Sequence, residues 1–429
     1  MAIATPNVTT ARPGAIVIGA GIAGLATALR LAAGDMAVTL LERHDHTGGK
    51  VRTVPSAAGP VDAGPTVLTL RPVFDALFAC AGARLEDHVT LVKQDLLARH
   101  FWSDGSSLDL YADVEASAEA IAAFAGVKAA DEFRAFNSRT ARLFDAFDAP
   151  MMQAPRPRLS RLVPHVLRHP ALVPAMAPLS TLAQMLRRQF SDARLAQLFG
   201  RYATYVGGAP HLSPAILSLI WQAEAAGVWV VKGGMHKLTA ALTQLALDNG
   251  VTLRRNTHVN RIHVTLGRVT GVEIEGGEML AAETVVYAGD PRALATGSMG
   301  QALTCVAPRT ARAPRSFSAR VHSFAATPSG VELAHHNVFF GDSPQSEFDD
   351  LMAGRLPRDP TLYLCAEDRG QGHPPPTPER FELISNAPAP STITPPTDLD
   401  IWHHQIMQRM ANMGVTMSPN PTAATITTP

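Results

Sequence analysis

The order of apolar and polar positions near the start of the chain predicts a strand, a turn, a helix and a second strand. Residues 15–18 form a short, mostly β-branched apolar run, typical of a strand buried on both faces. Small and apolar residues at helical spacing follow, and residues 38–41 form a second apolar run that ends in Glu42. The turn between the first strand and the helix carries three glycines in a GxGxxG spacing: Gly19, Gly21 and Gly24.

Each of these glycines has a separate mechanical role in a dinucleotide-binding turn. Gly19 allows a tight turn, Gly21 lets the backbone approach a pyrophosphate, and Gly24 lets the helix pack on the sheet. The free N–H groups and the dipole of the helix N-terminus favour the dianion. Glu42 follows the turn by about 20 residues, where a carboxylate accepts hydrogen bonds from a ribose diol. The pattern therefore predicts a dinucleotide site rather than a glycine turn that binds nothing.

A second glycine turn follows soon after Glu42. Gly48, Gly49 and Lys50 can bring further backbone N–H groups and a cation to the same pyrophosphate. A nicotinamide site does not require such a turn, and the sequence shows no second nucleotide fold.

Residues 19–49 resemble the extended dinucleotide motif of flavoproteins of the amine oxidase and phytoene desaturase type, which carry FAD. Lys50 stands where these relatives usually have arginine, so the charge is kept but the bidentate fork is lost. Residues 61–66 (VDAGPT) look like the family segment that returns beside the flavin, and relatives often have asparagine at Ala288. The resemblance implies that Val259 meets the adenine side through its backbone. It implies these FAD-binding residues: Gly19, Gly21, Gly24, Glu42, Arg43, Gly49, Lys50, Gly64, Thr66, Val259 and Asp290.

Periodicity along the rest of the chain predicts the other elements. Helices are predicted at 71–82, over much of 112–226, at 232–250 and at 399–413. Strands are predicted within 91–111 and at 251–253, 258–262, 284–287, 317–324, 336–340, 362–366 and 381–385.

The predicted fold class is α/β. It combines a Rossmann-type FAD-binding domain, whose parallel sheet is discontinuous in sequence, with an α+β substrate domain that has a mixed sheet and a helical, membrane-facing part. The predicted segments are 1–70 (FAD domain), 71–226 (substrate domain), 227–300 (return to the FAD domain), 301–398 (substrate-domain sheet) and 399–429 (start of a final FAD-domain segment).

Composition narrows the function classes. The 429 residues are 46% hydrophobic, which is enough for two or three domains with sizeable cores. A formal net charge of zero argues against nucleic acid as the main partner. The cysteines Cys80, Cys305 and Cys365 are far apart, which argues against disulfides and a clustered metal site and favours a reducing compartment. The histidine pairs 44/46, 335/336 and 403/404 lack any metal-ligand frame, so they are predicted to lie on surfaces or loops, with no metal bound.

The segment 151–190 combines basic and apolar residues and contains no acidic residue. This composition is typical of a segment on an anionic membrane surface, and the alternative is a solvated helical lid. The longest uncharged apolar run, 15–29, is too short to cross a bilayer, so no transmembrane helix is expected. The expected location is cytoplasmic and peripheral on the inner membrane face. The segment's arginines are Arg156, Arg158, Arg161, Arg168, Arg187 and Arg188.

A run at 200–235 (RYATYVGG, then LIWQAEAAGVW and a GGM turn) is similar to carotenoid desaturases that act on 1-hydroxy or 1-methoxy carotenoids. The resemblance implies C-3,4 desaturation, with hydride passing from a polyene carbon to flavin N5. The alternatives are a phytoene desaturase, an amine oxidase and a non-catalytic FAD- or carotenoid-binding protein. An amine oxidase is disfavoured because its aromatic cage would have to come from only five tyrosines and four tryptophans. The sequence identifies no catalytic acid or base and no oligomeric state.

The resemblance also implies a closing GLYLAG…HPGAG-like segment, which would supply the last strand of the nucleotide sheet and a helix N-terminus beside the flavin. No such run occurs before Pro429. We therefore expect flavin affinity and turnover to be impaired in this polypeptide.

Overall fold

The computed structural model describes residues 14–154, 158–389, 397–422 and 425–428, and the chain divides into two compact units. The first unit comprises Met1–Thr53, Arg71–Thr90 and Val231–Pro314, and the second comprises Val54–Leu70, Leu91–Val230 and Arg315–Pro429.

The described strands and helices are labelled in chain order. The strands are β1 Gly14–Ile18, β2 Ala37–Leu41, β3 Thr53–Ser56, β4 Gly59–Asp62, β5 Leu91–Lys93, β6 Leu96–Phe101, β7 Ser107–Tyr111, β8 Trp229–Val231, β9 Thr252–Arg254, β10 Val259–Thr265, β11 Arg268–Ile274, β12 Met279–Ala281, β13 Thr284–Tyr287, β14 Ser318–Gly330, β15 His336–Phe339, β16 Leu362–Ala366, β17 Glu379–Ala387, β18 Val415–Ser418 and β19 Ile426–Thr427. The α-helices are α1 Ile22–Ala33, α2 Arg71–Ala79, α3 Val114–Ala125, α4 Val127–Phe147, α5 Leu159–Arg168, α6 Leu172–Met176, α7 Leu182–Gln189, α8 Ala193–Gly200, α9 Trp221–Ala225, α10 His236–Asp248, α11 Arg292–Ala295, α12 Pro344–Met352 and α13 Thr397–Asn412. Short 3₁₀ helices cover Leu85–Asp87, Arg201–Val206, Ala215–Ile220 and Gln301–Leu303, and one π-helical turn covers Asp148–Met152.

The first unit is built on a four-stranded parallel sheet in the order β13, β1, β2, β9. Its strands come from three distant parts of the chain. A short apolar strand inside a sheet needs a neighbouring strand on each side to pair its backbone N–H and C=O groups. Helix α1 buries a stripe of small and apolar residues that includes Leu25, Ala28 and Leu29. A three-stranded antiparallel sheet, β10–β11–β12, completes this unit.

The second unit is built on an eight-stranded mixed sheet in the order β18, β14, β17, β16, β15, β6, β7, with β19 also paired to β14. Most pairs are antiparallel, and β15 runs parallel to β6. One face packs against α13 through an aromatic and aliphatic cluster. Helices α3, α4, α7 and α8 pack with residues of β6, β7 and β15 in a second core that contains Phe133, Phe136 and Phe199. The phenylalanine-rich helical segment is therefore core-forming.

The predicted fold class is confirmed by the parallel sheet, whose strands are discontinuous in sequence, and by the mixed sheet. That the helical part of the substrate domain faces a membrane stays a prediction. Helix α2, predicted with the substrate domain, lies in the first unit, and α13, β18 and β19, predicted with the FAD domain, lie in the second. Which of these segments bind cofactor or substrate remains a prediction. None of the described helices is both long and apolar enough to span a bilayer.

Candidate functional site

The first glycine turn in the first unit holds helix α1 directly against strand β1. Gly19 has a φ of +96°, and its N–H donates to the Leu41 carbonyl at 2.8 Å. A Cβ added to Gly24 would lie 1.8 Å from the Gly19 carbonyl oxygen. The positive φ therefore favours glycine at position 19, and the close approach of helix and turn requires it at position 24.

The second glycine turn lies against the first. The Gly48 N–H donates to the Ala20 carbonyl at 2.8 Å, and Gly48 and Gly49 have φ values of +106° and +61°. A Cβ added to Gly49 would lie 3.1 Å from the Gly21 Cα. The two turns predicted to face one pyrophosphate are thus adjacent in the fold.

Glu42 is held at the carboxyl end of β2 by backbone groups. Its side chain is buried, with Oε2 accepting from the Ala20 N–H at 2.7 Å and Oε1 from the His44 N–H at 3.0 Å. A carboxylate has about four acceptor sites, so two of them remain for a ligand. The contact between Glu42 and a ribose stays a prediction.

The other predicted cofactor residues lie in different environments. Val259 is buried at the start of β10, in the same cluster as Ile16 and Ile18. Asp290 is exposed, and its carboxylate accepts from the Arg292 N–H at 2.9 Å. The structure thus brings Gly19, Gly21, Gly24, Glu42 and Gly49 together in the first unit. Arg43 and Lys50 are exposed in the same unit, whereas Gly64 and Thr66 belong to the second unit.

The glycine turns fit the pyrophosphate of a dinucleotide such as FAD. Gly21 is the N-cap of α1, no side chain caps the helix, and its first turn carries no acidic residue. The N–H groups at this end are therefore available to a dianion, and the missing Cβ of Gly21 allows it to approach. Gly19, Gly21, Gly49 and Glu42 are the residues that would hold the group.

A cavity of about 860 Å³ lies in the second unit, within the usual range of about 300–1,000 Å³ for ligand sites. Its wall includes alternate residues of the mixed sheet, among them Val338, Tyr363 and Ile384, together with residues of α7, α8 and the 3₁₀ helix Arg201–Val206. Gly64 and Thr66, predicted beside the flavin, also line it. Large apolar side chains such as Phe190, Phe340 and Phe348 share the wall with many polar ones, so the cavity suits an apolar ligand that carries an oxygen substituent.

A short hydrogen-bonded chain reaches the cavity from the sheet. Thr66 Oγ1 is 2.7 Å from the Tyr363 hydroxyl, which is 2.6 Å from Nδ1 of His336. Burial raises the pKa of Tyr363 well above its usual value and lowers the pKa of His336 well below its own. Both groups are therefore neutral near pH 7. Sequence reasoning missed Tyr363. The only sequence feature that could have indicated it is its place in the predicted strand 362–366, where alternate side chains share one face.

The RYATYVGG run forms part of the cavity wall and is held by a buried carboxylate. The Tyr202 hydroxyl donates to Glu224 Oε2 at 2.6 Å, the Tyr205 hydroxyl donates to Glu224 Oε1, and Arg201 lies 3.9 Å from the same carboxylate. Burial raises the pKa of Tyr202 well above its ordinary value, so it remains a donor. Arg201 and Tyr205 line the cavity, and Glu224 fixes them.

The prediction that the histidine pairs lie on surfaces or loops is wrong for His335 and His336, which are 7% and 3% exposed, and for His403, which is 8% exposed. His335 directly precedes β15 and His336 is its first residue. Their ring centroids are 4.5 Å apart, so the two side chains are buried together. Among the described residues the three cysteines are free, with only Cys365 buried.

The basic segment 151–190 presents charged and apolar side chains together at the surface. Arg161 and Arg168 of α5 are exposed, as are Val163 at 53% and Leu167 at 74%. Residues 155–157, which include the predicted Arg156, lie outside the described residues.

The chain resembles known flavoproteins over most of its length. The family described as flavin-containing amine oxidoreductase matches residues 22–331. A hydroxyneurosporene desaturase of Cereibacter sphaeroides is 51% identical over 417 residues, covering 97% of this chain and 84% of that protein. A hydroxyneurosporene desaturase of Rhodobacter capsulatus is 48% identical, covering 96% of this chain and 84% of its own length. Among solved structures, an oxidoreductase from Methanosarcina mazei shares the fold with a TM-score of 0.60 at 14% identity, covering 94% of this chain and 86% of that one.

Proposed function

The chain belongs to the family of flavin-containing amine oxidoreductases, and from this premise we propose that it is an FAD-dependent carotenoid desaturase. The observation that carries the proposal is the 51% identity, over nearly the whole chain, to a protein named hydroxyneurosporene desaturase. The glycine turns that fit a dinucleotide and the large cavity of the second unit support it.

The reaction removes a hydride and a proton from adjacent carbons of a polyene. FAD, when bound, supplies the acceptor for the hydride at its N5 atom. The protein's own contribution is to bind, orient and exclude water. The N-terminus of α1, which Gly21 leaves accessible, would bind the pyrophosphate, Gly19 would shape the turn, and Glu42 would position the sugar. The walls of the cavity hold the polyene in one orientation, which lowers the entropic part of the barrier.

The finer proposal is that the C-3,4 bond of a 1-hydroxy or 1-methoxy carotenoid is oxidised. The relatives' names support this substrate class. Thr66 and Tyr363, both in the cavity wall, are groups that can hydrogen-bond an oxygen substituent on an otherwise apolar ligand.

Product analysis tests this function directly. The chain would be expressed in one host that accumulates a 1-hydroxy carotenoid and in another that accumulates phytoene, and the pigments would be separated by chromatography. We expect a product with one additional double bond in the first host only. Gly21→Val should abolish it, whereas Gly14→Ala, whose added Cβ has no described residue within 4 Å, should not. Conversion of phytoene would favour a phytoene desaturase, and a bound polyene without flavin absorbance would favour a carrier.

We also propose that the protein binds peripherally to the cytoplasmic face of the inner membrane. Support comes from the exposed arginines and apolar side chains of α5. Each basic residue near an anionic surface contributes about 1 kcal/mol. A substrate confined to the bilayer also requires access from that surface.

Vesicle sedimentation tests the membrane proposal. The protein should sediment with phosphatidylglycerol vesicles more than with phosphatidylcholine vesicles, and added salt should weaken the binding. The double variant Arg161→Glu, Arg168→Glu should lose most binding, whereas Arg268→Glu, an exposed position on β11, should lose little. Release of the protein from inner-membrane fractions by carbonate would support a peripheral location. Equal binding by the parent and the double variant would contradict the role of α5.

A further inference from the structure

Three side chains with metal-binding atoms converge within the second unit: His335, His336 and Cys365. One ligand atom from each lies within 4.8 Å of the others, and all three side chains are buried. Nε2 of His335 is 3.5 Å from Sγ of Cys365. A tetrahedral Zn²⁺ bound at about 2.1 Å by nitrogen and about 2.3 Å by sulfur places these two atoms about 3.6 Å apart. This pair already has the separation that a shared metal ion requires.

The outer nitrogens of both imidazoles are occupied in the way expected of metal ligands. His335 Nδ1 lies 2.7 Å from the Arg369 carbonyl oxygen, which fixes its proton on Nδ1, and His336 Nδ1 lies 2.6 Å from the Tyr363 hydroxyl. Metal-binding histidines commonly use one ring nitrogen in this way and present the other to the ion. Nε2 of His336 is buried and has no hydrogen-bond partner among the described residues.

A buried carboxyl group on the same rung of the sheet as Cys365 has no cationic partner among the described residues that interact with it. Glu382 is fully buried, and neither of its oxygens makes a hydrogen bond of normal geometry within the described part of the chain. It is directly opposite Cys365 in the pairing of β16 with β17, so the two Cβ atoms are cross-strand neighbours about 4.5–5.5 Å apart. Because an uncompensated buried carboxylate is unfavourable, a cation at this position would stabilise the fold.

We propose that His335, His336 and Cys365 bind one divalent transition-metal ion of the Zn²⁺ class, with Glu382 as the fourth ligand. Nitrogen and thiolate donors favour Zn²⁺ over Mg²⁺ or Ca²⁺, which prefer oxygen. Three of the four ligands come from adjacent strands, so the ion would tie β15, β16 and β17 together. The site is independent of the proposed desaturase activity.

Cobalt titration of the full-length protein tests the site without any substitution. Protein dialysed against a chelator would be titrated with Co²⁺, with Zn²⁺ added afterwards. We expect one equivalent of Co²⁺ to produce thiolate-to-cobalt charge transfer in the near ultraviolet and intense visible bands of tetrahedral Co²⁺, both removed by Zn²⁺. Zn²⁺ should also raise the thermal unfolding temperature of the metal-free protein. Absence of these bands at stoichiometric metal would overturn the proposal.

Matched variants locate the ion. Cys365→Ser should remove the charge-transfer band, and His336→Gln and Glu382→Gln should each weaken Zn²⁺ binding at least tenfold. Cys305→Ser and His373→Gln, at exposed positions, should leave the spectrum and the affinity unchanged. Circular dichroism of the metal-free variants checks that they fold. Retention of the band in folded Cys365→Ser, or its loss in Cys305→Ser, would place the metal elsewhere and refute the assignment.

Discussion

Replacing Gly24 by alanine tests whether helix α1 is held against the glycine turn as the structure shows. By helix propensity alone, alanine would stabilise an interior helical position by about 1 kcal/mol relative to glycine. In this structure, however, the added Cβ would lie 1.8 Å from the Gly19 carbonyl oxygen, whereas real Cβ atoms essentially never come within 3.0 Å of another heavy atom. The obstacle is backbone, so a rotamer change cannot relieve it.

The helix and the turn must therefore move apart, and the buried stripe of α1 moves with them. This stripe includes Leu25, Ala28 and Leu29. Forcing additional volume into a packed core typically costs about 1–3 kcal/mol, occasionally more. This cost exceeds the gain in propensity, so we expect Gly24→Ala to lower the free energy of unfolding by about 1–2 kcal/mol. We also expect FAD affinity to fall more than tenfold because the N–H groups of the turn no longer face one pyrophosphate.

Urea unfolding gives the stability change, and quenching of flavin fluorescence on titration gives the affinity. Gly14→Ala is the matched control on strand β1, since no atom in the described part of the chain lies within 4 Å of its added Cβ. It should change stability by less than about 0.5 kcal/mol and leave FAD affinity unchanged. If Gly24→Ala bound FAD as tightly as Gly14→Ala and unfolded at the same urea concentration, the close packing of helix and turn would be refuted.

Three further substitutions test other buried groups of the two units. Glu42→Gln should lower the free energy of unfolding by about 1–3 kcal/mol, because a charged acceptor of two backbone N–H groups is lost; urea unfolding measures it. Glu224→Ala should lower the free energy of unfolding by about 3–5 kcal/mol, because it leaves Arg201 without its buried partner. If the double variant Arg201→Ala, Glu224→Ala loses less stability than the two single variants lose in sum, the two side chains are coupled. Burial, with a contribution from His403, lowers the pKa of His322 to about 4, so the folded state binds fewer protons than the unfolded state between pH 6.5 and 4. His322 alone should contribute a loss of up to about 3 kcal/mol as the pH drops through this range. His322→Phe should make the fall in stability shallower, and an unchanged slope would contradict the assignment.

The dinucleotide turn could be predicted from sequence because its constraints are local. Gly19, Gly21 and Gly24 lie within six residues, and each is required by a contact inside the same strand, turn and helix. The hairpin of β3 and β4 was missed. Pro55 and Pro60 interrupt these short strands, and proline removes a donor from a ladder, so the pattern argues against strands even where they form.

The cavity could not be assembled from the sequence because its walls come from segments far apart in the chain. Thr66, Arg201 and Tyr363 meet there, although the first two are 135 residues apart and Tyr363 lies far beyond both. Strands β15 to β17 were predicted, but alternation alone does not tell which of their two faces meets the cavity. The buried state of His335 and His336 was missed for a related reason, since their hydrogen-bond partners Arg369 and Tyr363 are distant in sequence.

The register of the mixed sheet separates the proposed metal site from the proposed substrate site. On one rung, His336 pairs with Cys365, which pairs with Glu382. The next rung on the same face carries Val338, Tyr363 and Ile384, and its residues line the cavity, whereas those of the first rung do not. The two rungs are thus neighbours on one face of the sheet, with a hydrogen bond between His336 Nδ1 and the Tyr363 hydroxyl joining them. The proposed metal ligands are thus not part of the cavity wall, which assigns the ion a structural role, so its removal should lower stability without changing which carotenoid is oxidised.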